Sequence, residues 1–184
     1  GAMINAFTVV AVDNDGGLSV GAIQAQVQVN PVNDAPLITS SVTVNAAENQ
    51  TAVSTVTATD ADGDTPTFTI SDGADAALFS ISAGGVLTFN SAPDYETYTD
   101  ANNDGVYEVE VTANDGNSGT DVQTIQVTVT NLNETPTLVS LSNSTVDENI
   151  DTSGGYSVGT LLTTDEDAGD SATYSINGGT DVAQ

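Results

Sequence analysis

Acidic side chains gather in this sequence where oxygen ligands would be wanted. Asp60, Asp62 and Asp64 alternate in DADGD, and Asp165 and Asp167 alternate in TDED. Asp94 and Glu96 stand in PDYE, and Glu48 and Asp115 follow segments in which apolar residues alternate. Asn33 with Asp34, and Asn133 with Glu134, come just before prolines. Asp-x-Asp or Asp-x-Glu in an extended segment sends both carboxylates to the same side, and such a pair can clamp one hard cation. Calcium takes about six to eight oxygens from carboxylates, amides and backbone carbonyls. One Asp-x-Asp-Gly by itself is an ordinary turn, because Asp and Gly are favoured there for local reasons. Several acidic loops in a chain with nothing basic to pair them reverse that preference.

The chain holds 26 acidic side chains and no Lys, Arg or His, for a formal charge of −26. No side-chain salt bridge can form. A carboxylate taken out of water must be hydrogen-bonded or metal-bound, since an unpaired buried charge is costly. Catalysis is the class that this composition disfavours most. Without His, Cys, Lys or Arg, most nucleophile–base pairs cannot be built. Two carboxylates suffice for glycoside hydrolysis, but paired acids in loops fit calcium better, and short strands offer no deep pocket. Phosphate binding needs Lys and Arg, so nucleic acid is not expected as a partner. No apolar run is long enough to cross a membrane as a helix, and no membrane insertion is expected. Without cysteine there is neither a disulfide framework nor a thiolate metal site.

So acidic a chain invites a disordered reading, but the apolar residues oppose it. They make up 38% of the sequence, and they alternate. Tyr107, Val109, Val111 and Ala113 share one face of an extended segment, as do Ile125, Val127 and Val129, which is the period of half-buried strands. No window has a helical period. The sequence also repeats. DNDGG at 13–17 matches ANDGN at 113–117, the linker VQVNPVNDAP at 27–36 matches VTVTNLNETP at 127–136, and AEN at 47–49 matches DEN at 147–149, each 100 residues on. TDAD at 59–62 matches TDED at 164–167, 105 residues on, the difference falling in a longer 150–160 loop.

A period of that length means a string of domains. The boundaries expected are one complete repeat over 37–136, the last strands of a preceding repeat over 4–36, and the first half of a following one over 137–184. Gly1-Ala2-Met3 reads as the remnant of a cleaved tag and is set aside. Within the complete repeat, seven strands are expected near 41–46, 52–59, 66–71, 77–82, 85–90, 105–113 and 121–130. That spacing predicts an all-β, seven-stranded antiparallel Greek-key sandwich. The missing Cys-Trp-Cys pattern argues against a true immunoglobulin domain.

Taken in order, Glu48-Asn49, Thr59-Asp60-Ala61-Asp62, Pro93-Asp94-Tyr95-Glu96, Ala113-Asn114-Asp115 and the linker NLNETP at 131–136 resemble the motifs of cadherin repeats. The chain looks like the bacterial cadherin-like tandem repeats of large repeats-in-toxin adhesins and secreted multidomain proteins. The resemblance implies calcium at each junction between repeats. At the second junction it implies Glu48, Asp94, Glu96, Asn133 and Glu134 from above, with Asp165 and Asp167 from below. At the first it implies Asn33 and Asp34 from above, with Asp60, Asp62 and Asp115 from below. Both linkers are shorter than the animal pattern and begin with Asn131 or Pro31 where that pattern has Asp, which leaves the number of ions per junction open. A further stretch, DANNDG at 100–105, resembles the first half of an EF-hand loop, with oxygens on Asp100, Asn102 and Asp104 and Gly at the sixth position. Val111 stands where the bidentate Glu belongs, so it is not an EF-hand. Either it holds its own ion or it is a solvated turn.

The function expected is that of a calcium-rigidified extender or adhesion repeat of a bacterial surface or secreted protein, located outside the cell. Its partners would be the neighbouring repeats of the same chain. The alternative is a module that binds polysaccharide or another cadherin-like repeat. The absence of Trp, with few exposed aromatics expected, favours the spacer. The two partial repeats at the ends complement each other, so head-to-tail self-association of this chain is also expected.

Overall fold

The computed structural model describes residues 2–19, 21, 23–151 and 153–178. Its strands are β1 Ala2–Val9, β2 Ile23–Val29, β3 Leu37–Ile38, β4 Thr43–Ala47, β5 Ala52–Thr55, β6 Ala58–Thr59, β7 Thr67–Asp72, β8 Phe79–Ile81, β9 Val86–Phe89, β10 Val106–Asn114, β11 Thr120–Thr130, β12 Leu138–Leu141 and β13 Leu161–Thr164. Its one helical element among the described residues is a 3-10 turn, Ala76–Leu78. No helix there is long and apolar enough to cross a membrane.

The segment from β3 to β11 forms a sandwich. One sheet has the order β4-β11-β10-β7. Facing it are β5-β9-β8 and the short pair β3-β6. Strict alternation on β10 and β11 puts Tyr107, Val109, Val111, Ala113, Ile125, Val127 and Val129 inside, where they meet Val56, Phe68, Phe79, Leu87 and Phe89. Phe79 and Phe89 stack with centroids 4.5 Å apart, and Tyr107 stands edge-on to both, 6.3 and 5.2 Å away. A buried tyrosine needs a partner for its hydroxyl. The Tyr107 hydroxyl accepts the backbone N–H of Thr99 at 3.2 Å, which ties the long 91–105 loop to the core.

The alternating strands are found where their period places them, and three details differ. First, the expected 52–59 strand is divided. β5 pairs with β9 and β6 pairs with β3, while Val56 between them turns into the core. The backbone stays paired across the break, through Val56 N to Gly85 O and Thr39 N to Thr57 O. Second, β8 begins at Phe79 because Ala76–Leu78 curls into the 3-10 turn. Third, the sandwich is not wholly antiparallel. β4 lies parallel to β11, with Gln126 opposite Thr43 and Val129 opposite Ala46. The chain passes from β3 in one sheet to β4 in the other without reversing, so β4 meets the open edge of β11 in parallel.

Two hairpins flank the sandwich. β1 pairs with β2, and the pairing includes Ala2 and Met3, so two of the three residues set aside as a tag extend a strand. β12 pairs with β13. The turn after β1 also corrects the repeat alignment. Asp13 Oδ1 accepts the N–H groups of Asp15 and Gly17, at 3.1 and 2.6 Å. Asp115 Oδ1 accepts those of Asn117 and Gly119, at 2.7 and 2.9 Å. Gly16 (φ 84) and Ser118 (φ 82) fill the same left-handed position. Asp13 therefore corresponds to Asp115, and two extra residues lie between Gly17 and β2.

Candidate metal centre

The second junction is built on Glu48. It follows β4, and Asn49 after it adopts φ 61; Asn149, after Glu148, adopts φ 64. Asn tolerates this left-handed conformation better than most residues, so the Glu-Asn pair is a turn that sends the carboxylate inward. Glu48 is buried to 1% exposure. Its Oε1 accepts Leu132 N and its Oε2 accepts Tyr95 N, both at 2.7 Å. These are charge-assisted bonds, and they fasten the linker and the 91–105 loop to one carboxylate.

Around Glu48 the structure gathers Glu96 and Glu134, with one carboxylate oxygen of each within 4.8 Å of the others. Asn131 donates its amide to Glu96 Oε1 at 3.0 Å and to Asp167 Oδ1 at 2.9 Å. Asp167 Oδ2 accepts Glu134 N at 2.6 Å, and Asn49 donates its amide to Glu134 Oε1. Glu48, Glu96, Glu134 and Asp167 therefore meet with amides between them and no cationic side chain. Loss of water, then the negative charge of Glu48, pushes the carboxyl of Glu96 above the usual range. Glu134 is pushed the same way, again first by loss of water and then by Glu48. The remaining residues expected at this junction are peripheral. Asp94 Oδ1 takes Glu96 N and Thr97 N at 2.8 and 2.9 Å, shaping the turn that presents Glu96. Asp165 Oδ1 takes Asp167 N at 3.2 Å, and Asn133 donates to the backbone oxygen of Glu134 at 2.7 Å.

The first junction repeats the plan. Asn33 donates its amide to Asp115 Oδ2 at 2.7 Å, and Asp34 N donates to Asp62 Oδ2 at 2.7 Å. Asp62 N donates to Asp60 Oδ1 at 2.8 Å. The Asn33 amide holds the Asp115 carboxyl below the usual range, against the opposing effect of lost water.

Whether a cation fits can be tested on buried oxygens. Among the described residues, three buried side-chain polar atoms have no hydrogen-bond partner: Ser40 Oγ, Asp60 Oδ2 and Glu134 Oε2. Two of the three are carboxylate oxygens, one at each junction. A buried anionic oxygen with no donor is costly unless a cation faces it. The donor set is all oxygen, which suits calcium or magnesium and not a soft metal.

The 100–105 loop is organised differently. Asp100 is buried, and its Oδ2 and Oδ1 accept Asp104 N and Gly105 N at 2.9 and 3.3 Å. Asn102 donates to Asp104 Oδ2 at 2.9 Å, and Asp104 Oδ1 takes Val106 N at 2.8 Å. Its oxygens close the loop on itself. Beside it, buried Asp75 accepts Ala101 N and Glu108 N at 2.7 and 2.8 Å. The sequence reading did not single out Asp75, Asn49 or Asn131 as site or anchoring residues. Asn49 and Asn131 sit inside the motifs that were read; Asp75 carries no local signal.

A family model described as "Bacterial Ig domain" matches residues 33–128. No curated protein sequence matches. Among solved structures, EC1-2 of human protocadherin-24 is similar with a TM-score of 0.52 at 23% identity, covering 75% of this chain and 62% of that one. EC21-23 of human CDH23 gives 0.56 at 22%, covering 88% and 54%. EC1-4 of Drosophila N-cadherin gives 0.50 at 19%, covering 91% and 50%. The chain thus spans between half and two thirds of the length of these structures. At such identities the likeness is one of fold. The immunoglobulin name is met here without cysteine, so the argument from the missing Cys-Trp-Cys pattern excludes only the disulfide-bearing kind. The chain belongs to the bacterial Ig domain family, and its sandwich has a cadherin-like fold.

Proposed function

We propose that this chain is a calcium-stiffened extender of a bacterial surface or secreted protein, with the ion-binding positions at the junctions between its repeats. The observation that carries this reading is the pair of buried, partnerless carboxylate oxygens, Asp60 Oδ2 and Glu134 Oε2, in a chain with no cationic side chain. Glu48, Glu96, Glu134 and Asp167 would hold the cation at the second junction, with Asp94, Asn133 and Asp165 around them. Asp60, Asp62, Asp115, Asn33 and Asp34 would hold it at the first. Bound calcium supplies positive charge that offsets the mutual repulsion of these acids. The chain's own groups do the orienting. Glu48 grips Leu132 and Tyr95, Asp167 grips Asn131 and Glu134, and Asn33 grips Asp115.

With the junctions closed, successive sandwiches share one axis and the chain acts as a rod. With them open, repulsion among the acids leaves the linkers loose. Small-angle scattering of the chain in chelator and in millimolar calcium tests this. The largest dimension should rise and its distribution narrow when calcium is added. A profile that calcium leaves unchanged, with calorimetry detecting no binding, removes the proposal.

A further inference from the structure

The two hairpins expose side chains that the central sandwich keeps dry at corresponding positions. With Asp13 aligned to Asp115, Phe7 corresponds to Val109 and Val9 to Val111. Phe7 and Val9 are 60% and 43% exposed, whereas Val109 and Val111 are both at 0%. Through the linker, Val27 and Val29 correspond to Val127 and Val129. Their exposures are 47% and 51%, against 0% and 2%. At the other end, Leu161 corresponds to Val56 and Tyr174 to Phe68. Leu161 and Tyr174 are 42% and 45% exposed, against 1% and 7%. These side chains are core residues by pattern, and the described residues of this chain do not cover them.

The sandwich also shows what would cover them. There β10 is flanked by β7 and β11 by β4, with Val111 opposite Ile70, Ala113 opposite Phe68 and Val129 opposite Ala46. Among the described residues, the β1–β2 hairpin has no counterpart of β7 or β4 beside it. Residues 171–178 carry the counterpart of β7, with Tyr174 and Ile176 in the places of Phe68 and Ile70. That segment is not part of a strand, and Ile176 is 82% exposed. Residues 143–147 carry the counterpart of β4, with Val146 in the place of Ala46.

We propose that copies of this chain join head to tail, the β1–β2 hairpin of one completing the 137–178 segment of the next. β1 lies antiparallel to 171–178, with Val9 opposite Ile176 and Ala11 opposite Tyr174. β2 lies parallel to 143–147, with Val29 opposite Val146. The two ends of one molecule cannot meet in this way. The first junction adjoins Asp115, just past the end of β10, while the second adjoins the loop before its start. Those positions are separated by the nine residues of β10, roughly 27 Å at the usual rise of a strand. The contact is heterologous and propagates into open chains. It has no counterpart of residues 79–103 and joins two chains of formal charge −26, so it is weaker than the sandwich and strengthens with salt.

Light scattering and sedimentation in chelator, at low and high salt, test this with the full chain and two variants, Val9→Asp and Ile176→Asp. The mass of the unaltered chain should grow with protein concentration and with salt. Each variant alone should stay monomeric, because its one competent end finds no partner end. An equimolar mixture should give a dimer and nothing larger, because only one competent head and one competent tail remain. The melting of the central sandwich serves as the control for folding, with Val9→Ser and Ile176→Ser replacing any aspartate that lowers it. A chain that is monomeric at every concentration overturns the proposal. So does an unaltered chain that stops at dimer, or a mixture of the two variants that stays monomeric.

Discussion

Glu134 hangs from Asp167, its backbone N–H donating to Asp167 Oδ2 at 2.6 Å across the second junction. The other oxygen of Asp167 takes the Asn131 amide, so one buried carboxylate just past β13 holds the 131–134 stretch at two points. Glu48, just past β4, holds the same stretch by Leu132 N. The grip is built from carboxylates accepting N–H groups, and no cationic side chain takes part in it. What the amides leave unmet is the negative charge itself, concentrated on Glu48, Glu96, Glu134 and Asp167.

The role of Asp167 leads to a prediction of looseness without unfolding. Asp167→Ala removes two charge-assisted bonds, each worth about 1.5–3 kcal/mol, from the junction and none from the sandwich core. Its radius of gyration in calcium should approach that of the unaltered chain in chelator, while the melting temperature of the sandwich moves by only a few degrees. Scattering and calorimetry on the same sample separate the two effects. Asp62→Ala should act in the same way at the first junction, through the lost bond from Asp34 N. If neither substitution changes the scattering, these bonds do not set the junction geometry.

Calcium should raise stability by mass action. Extracellular calcium modules bind at roughly 10⁻⁴ to 10⁻³ M, and about a hundredfold excess over Kd contributes about 2.7 kcal/mol. For a domain of this size that is a rise on the order of ten degrees or more in melting temperature. Magnesium demands octahedral geometry and keeps several of its waters, so it should do much less. Double substitution of Glu48 and Glu134 by Gln should abolish the calcium-dependent part at the second junction. A melting curve indifferent to chelator would falsify the reading.

The sandwich was legible because its central strands are long and alternate strictly. Tyr107 to Ala113 and Ile125 to Val129 announce both their faces and their extent. The short elements were not legible. Leu37 and Ile38 pair with Thr59 and Ala58 for two residues only, too few to leave a period. The parallel placement of β4 is decided by where the chain changes sheets, which no local pattern encodes. The acidic loops were visible as clusters, but their internal bonding was not. Asp94 looks like Glu96 in sequence, yet its Oδ1 is engaged by two backbone N–H groups. Asp60 looks like Asp62, yet only Asp60 has a buried oxygen without a partner. The turn after β1 shows the same limit, since DNDGG aligns by letters with ANDGN and by hydrogen bonds two residues away.

Gly73 should be intolerant of any side chain. Its φ is 120, and a Cβ placed there would lie 2.6 Å from Glu108 O and 2.7 Å from Val109 Cα. It stands where β7 leaves β10 next to an irregularity in the register, so the backbone cannot retreat without breaking the ladder. Gly73→Ala combines left-handed strain with overlap against main chain, at a cost of about 2–4 kcal/mol. Gly63→Ala, with φ 85 and nothing within 4 Å, carries only the conformational cost, about 1 kcal/mol. Thermal melts in chelator should rank the two in that order.

Asp75 and Asp100 separate a structural carboxylate from an ion ligand. Asp75 accepts Ala101 N and Glu108 N, and Asp100 accepts Asp104 N and Gly105 N. Both are buried, at 5% and 4% exposure. Replacing either by Ala leaves two N–H groups without their acceptor at about 1–3 kcal/mol each. If self-bonding is all that orders the 100–105 loop, the loss is the same in chelator and in calcium. A bound ion would make the loss larger in calcium, because the ion's contribution to the native state would vanish with its ligand. The expected result is a drop in melting temperature of ten degrees or more for Asp75→Ala in either buffer, and a smaller, equally calcium-independent drop for Asp100→Ala. Asp75→Asn, which keeps one acceptor oxygen, should recover part of the loss. A deficit for Asp100→Ala that grows with calcium would assign the loop an ion of its own.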